Sequence, residues 1–186
     1  ALLVVVTICS AILAVLQNAM GLAVVAALGG FAAPILTSTG SGNHVALFSY
    51  FALLNAGIFA IAWFRAWRPL NLVGFVGTFG IGFAWGLRSY TPELFASTEP
   101  FLALFFLMYV GIGLLFARRK LLEAAQAPAE RGELLRWSAR QADYIDATVL
   151  FGPPLVGFGL QCAVIGHIDF GMAFSALALG LFYMVL

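Results

Sequence analysis

A chain of 186 residues that is 63% hydrophobic and only 9% charged cannot cover a globule in water with polar surface. Its mean hydropathy of +1.03 makes lipid the solvent and excludes an ordinary soluble domain. The net charge of +1 comes from loops of mixed sign, which excludes the one-sided basic patch that nucleic-acid binding needs.

In chain order, the first apolar stretch covers 1–16 and the second 19–36, separated by Gln17 and Asn18. A single helix over both would be about 54 Å long against a hydrocarbon core of about 30 Å, so the two form a hairpin. Further spans are predicted over 44–64, 70–87, 100–117, 147–166 and 170–186, with a polar connection over 118–146. The expected fold is all-α, a polytopic transmembrane bundle of about seven spans. Ala1 is not Met and Leu186 closes inside an apolar run, so the chain reads as a fragment of a longer multi-pass protein with no leading signal peptide.

The basic residues divide unevenly between the two sides. Arg65, Arg68, Arg118, Arg119, Lys120, Arg131, Arg136 and Arg140 fall on one side of the alternating spans and Arg88 alone on the other. Lys and Arg accumulate in cytoplasmic loops, so the first side is expected to be cytoplasmic and the residue 1 end outside. Arg118, Arg119 and Lys120 suit anionic headgroups. Leu134, Leu135 and Trp137 among Arg131, Arg136 and Arg140 suggest a surface helix within 129–145.

Inside the spans, side-chain chemistry is sparse. No span carries a charge near its centre, which disfavours a proton-relay core. Asn55, about 16 Å into the third span, and Gln161 in the sixth are the strongly polar exceptions: either they hydrogen-bond to neighbouring helices or they line a substrate path. In the fourth span Gly74, Gly77 and Gly80 recur every third residue and Gly82 with Gly86 forms GxxxG, the pattern of a close helix-packing face. Pro153 and Pro154 predict a kinked or interrupted sixth span, the arrangement that exposes half-helix ends in some transporters.

The remaining polar residues gather on the side poor in Lys and Arg. His44, Arg88, Tyr90, Glu93 and Glu99, with His167 and Asp169, include acids, a base and a cation, enough for acid/base chemistry or for binding a headgroup or glycan. Helix capping offers each a plainer role. Pro100 at a first helical position places Glu99 at the cap, Thr91-Pro92-Glu93 repeats the arrangement, and Asn43 and Asp169 suit the caps of the third and seventh spans. Trp63, Trp67, Trp85, Tyr90 and Tyr109 read as an interfacial aromatic belt. Cys9 and Cys162 read as small apolar residues; no metal-ligand spacing, phosphate loop or nucleophile elbow occurs, so no cofactor is implied.

Three strings carry a resemblance: GGFAAPILTSTGSGNHVALFSY, RSYTPELFASTEPF and YIDATVLFGPPLVGFGLQ. They resemble a bacterial multi-pass membrane-protein family known only as domain of unknown function 2339, over most of the chain from about Leu16. The resemblance implies a bacterial inner membrane, a longer parent chain with many more spans, and no settled activity. Three classes of function stay open. The leading one is a non-enzymatic cell-envelope scaffold or assembly component, whose partners are membrane lipids and other helices of the same chain or of other membrane subunits. The others are a transporter or lipid-handling protein using a broken sixth span, and a membrane enzyme acting on an external lipid-linked or glycan substrate.

Overall fold

A computed structural model describes residues 13, 17, 19–36, 43–64, 67–124 and 144–185. The span expected over 1–16 therefore lies outside the described residues, as does the 118–146 connection from 125 to 143. All regular structure among the described residues is helical: α1 (Met20–Leu36), α2 (His44–Phe64), α3 (Arg68–Ser89), a 3-10 turn (Pro92–Leu94), α4 (Phe95–Ala124), α5 (Tyr144–Ile165) and α6 (Gly171–Val185).

The expectation of seven spans is corrected. Among the described residues, three helical stretches are long and apolar enough to cross a membrane: α2, α3, and Pro92–Leu115 running from the 3-10 turn into α4. The apolar stretches Met20–Leu36, Phe151–Ile165 and Gly171–Val185 are shorter.

Two helix boundaries change the reading of named residues. The 3-10 turn leads straight into α4, which begins at Phe95, so Glu99 and Pro100 lie inside the helix and not at its cap. Extended Thr91 precedes Pro92 in the expected N-terminal arrangement, but its side chain makes no capping bond. At its other end α4 continues to Ala124 and carries Arg118, Arg119 and Lys120 on its last turns, where a loop was expected. In α5, helix runs unbroken through Pro153 and Pro154. The prolines withhold two N–H donors, from the carbonyls of Val149 and Leu150, without interrupting the element. The broken sixth span is therefore not present.

α2, α3, α5 and α4 form a ring in which α3 and α4 face each other across the middle and touch only briefly. α1 packs on α3 and α6 on α5. Phe51, Ile58, Leu70, Phe75, Phe79, Tyr109 and Ile112 fill the interior. Outward faces are apolar too, with Val25, Val76, Leu155 and Phe174 exposed. Lipid wets such faces without a hydrophobic cost, so these helices need no polar face.

The glycine stripe of α3 divides in two. A Cβ at Gly74 would lie 2.5 Å from Tyr109 Oη and 2.8 Å from Ile58 Cδ1, and one at Gly77 would lie 2.7 Å from the Phe31 ring. These two glycines admit neighbours closely. Around Gly80, Gly82 and Gly86 a Cβ would meet nothing within 4 Å. The GxxxG pair does not pack a helix among the described residues, contrary to the sequence expectation.

Candidate functional site

The gap beside Gly82 and Gly86 is a partly open cavity of about 350 Å³. From α3 it takes Thr78, Phe79, Gly82, Trp85 and Gly86, with Tyr90 just beyond the helix; from α4 it takes Thr98, Phe101, Leu102 and Phe105. Leu160, Ala163 and Val164 of α5 close one side and Phe48 of α2 the other. The α4 residues follow helical spacing of three and four, which puts them on one stripe. From Thr78 to Tyr90 the α3 wall is about 18 Å long, so the cavity is elongated along the helix axes. Among the described residues, no side chain lining it carries a charge.

A buried polar knot closes the deep end. Asn55 Nδ2 donates to Thr78 Oγ1 at 2.7 Å, Thr78 Oγ1 donates to Asn55 Oδ1 at 3.1 Å, and Tyr109 Oη donates to the same oxygen at 2.7 Å. All three residues are buried, Asn55 completely. With one member on each of α2, α3 and α4, the knot fixes their register, because any slip leaves polar groups unpaired in an apolar interior.

The opposite end has a polar rim. His44 Nε2 lies 2.8 Å from Ser97 Oγ, which donates in turn to the Leu94 carbonyl at 3.0 Å. The His44 ring stacks on Trp85 with centroids 5.3 Å apart, and Phe48 meets Trp85 edge-on at 5.0 Å. Tyr90 Oη donates to the Val164 carbonyl at 2.8 Å, tying the end of α3 to α5. Burial, then the carboxylates of Glu99 and Glu93, push the Tyr90 phenol above its ordinary range and keep it a donor. Behind the α4 wall, Gln161 Nε2 donates to Glu99 Oε1 at 2.7 Å and more weakly to Ser175 Oγ at 3.4 Å.

The family described as predicted membrane protein (DUF2339) has a model that matches residues 1–186. The chain belongs to the DUF2339 family. No curated protein and no solved structure matches it. Membership agrees with helices apolar enough to span a membrane and names no reaction.

In this DUF2339 protein the polar residues expected to form one site take separate partners. His44 engages Ser97, Tyr90 a backbone carbonyl and Glu99 Gln161, while Arg88 and Glu93 are exposed. Among the described residues, no hydrogen bond or ion pair joins two of His44, Arg88, Tyr90, Glu93 and Glu99, and no three His, Cys, Asp or Glu side chains group as metal ligands. Asn43 does cap α2, accepting from the Ala46 N–H at 3.0 Å. Asp169 lies two residues before the start of α6, and Phe170 at φ 60° takes the junction between them. Tyr109, expected in an interfacial belt, belongs to the buried knot.

Sequence reasoning singled out Asn55 and Gln161 but missed Thr78, Ser97, Thr98 and Ser175. Thr98 had a legible signal: Thr98, Phe101, Leu102 and Phe105 recur at helical spacing, but an apolar stripe of that kind equally describes a packed core. The spacing shows which residues share a stripe; whether a helix fills the space in front of it is decided by the whole bundle.

Proposed function

We propose that this chain is a lipid-handling component of a bacterial inner membrane, holding the apolar part of a lipid-type molecule in the cavity between α3 and α4. The observation that carries this reading is the empty space in front of Gly82 and Gly86, opposite Phe101 and Phe105 and without a charged side chain around it. Its volume of about 350 Å³ is at the lower end of ligand pockets, suited to one chain. The orientation that goes with this reading puts the His44 and Tyr90 end outside and the 118–146 connection in the cytoplasm.

A scaffold role has no comparable support: the apolar outer faces of α1 and α6 suit lipid as readily as a partner helix. The enzyme reading has less support, since His44 and Glu99, two of the residues it would use, are engaged by Ser97 and Gln161.

Photolabelling with a diazirine-bearing phospholipid in nanodiscs tests the proposal. Adducts are expected on Trp85, Phe101 or Phe105, at least fivefold reduced by Gly82→Leu, whose side chain has room to enter the cavity. Labelling confined to the outward residues of α1 and α6, and indifferent to Gly82→Leu, would overturn it.

A further inference from the structure

One buried hydroxyl on the cavity wall is unused. Thr98 is only 7% exposed, lines the cavity, and its Oγ1 has no hydrogen-bond partner. The other two hydroxyls on the wall are satisfied, Thr78 by Asn55 and Tyr90 by the Val164 carbonyl. A threonine in a helix commonly bonds back to a carbonyl three or four residues earlier; Thr98 makes no such bond, while the Leu94 carbonyl accepts from Ser97. An unpaired buried hydroxyl is costly, the more so in an apolar interior.

We infer that Thr98 is the polar contact of a lipid-binding site, receiving a neutral oxygen, an ester carbonyl or a hydroxyl, at the head of a single apolar chain that lies along Gly82 and Gly86. This rests on the cavity being a lipid site, as proposed above. Three observations select the chemistry. The wall carries no charge, so an ionised headgroup inside would stay unpaired. A hydroxyl both donates and accepts, so it serves an ester or an alcohol equally. Thr98 is also in the first turn of α4, beside the polar rim, whereas Phe105 is about 10 Å deeper. The oxygen therefore lies near the end of the bundle and the chain runs inward, as an acyl chain does from its ester in a leaflet.

The experiment competes the diazirine label against methyl decanoate, decanol and undecane in detergent, on wild type, Thr98→Val and Gly82→Leu. In wild type the ester and the alcohol compete at roughly threefold to tenfold lower concentration than the hydrocarbon, the worth of about one net hydrogen bond. Thr98→Val removes that preference while labelling of Phe101 or Phe105 persists, and Gly82→Leu removes the labelling. Without its unpaired hydroxyl, Thr98→Val also unfolds at or above the wild-type temperature when no competitor is present. An ester preference that survives Thr98→Val overturns the role of Thr98 and leaves the cavity reading standing; absence of competable labelling in wild type overturns both. A fall in the Thr98→Val unfolding temperature would show that the hydroxyl is already engaged within the protein, which also overturns the inference.

Discussion

Tyr109 Oη donates to Asn55 Oδ1 at 2.7 Å, joining the middle of α4 to the middle of α2 with both residues buried. Asn55 holds two hydroxyls, those of Tyr109 and Thr78, so its removal differs in kind from removal of either partner. Asn55→Leu removes all of its bonds at once and leaves the two hydroxyls only each other, with an expected loss of about 2 kcal/mol, whereas Tyr109→Phe leaves Asn55 paired with Thr78 and costs about 0.6 kcal/mol. SDS titration of the purified protein checks the order; equal losses would mean that the knot does not share its bonds in this way.

The α3 glycines should separate by position. Gly74→Ala drives a methyl group against Tyr109 and Ile58, both buried, and is expected to cost about 1 to 3 kcal/mol. Gly80→Ala meets open space and should be neutral or stabilising by up to about 1 kcal/mol from helix propensity. Thermal midpoints in one detergent compare them directly, and a Gly80 variant as damaged as the Gly74 variant would contradict the packing described for α3.

Glu99 and Gln161 should behave as a pair. Glu99→Gln keeps an acceptor for Gln161 and is expected to be nearly silent. Glu99→Leu removes the stronger of two contacts to Gln161 and should cost about 1 to 2 kcal/mol, as should Gln161→Leu, which leaves Glu99 unpaired. The double substitution Glu99→Leu with Gln161→Leu should cost less than the sum. Strict additivity in this cycle would show that the 2.7 Å contact carries no coupling.

Phe170 adopts φ 60°, a conformation unfavourable for any side chain with a Cβ, while its ring is exposed. Phe170→Gly should therefore stabilise the α5–α6 junction by about 1 kcal/mol, seen as a higher unfolding temperature. A lower temperature would mean that the exposed ring contributes more in its membrane setting than the backbone strain costs.

Sidedness is tested with single cysteines. In intact cells an impermeant maleimide should label Ser41→Cys and spare Glu130→Cys; the opposite pattern would reverse the proposed orientation.

Composition alone determined the solvent: with 63% hydrophobic residues, helices that face lipid were legible from the residue types themselves. The span over 44–64 was read to its ends because Asn43 is a capping residue and its side chain does cap the helix. The start of α4 was misread because Pro100 imitates a first helical position while Pro92, eight residues earlier, does supply one to the turn that leads into the helix. Glycines posed the harder problem. Gly74, Gly77, Gly82 and Gly86 look alike in the sequence, since all remove side chains from α3. Only the tertiary structure decided that Tyr109 and Phe31 occupy the space before the first two and that no described residue occupies the space before the last two. A missing side chain records room on its own helix, whereas filling that room depends on helices distant in the chain.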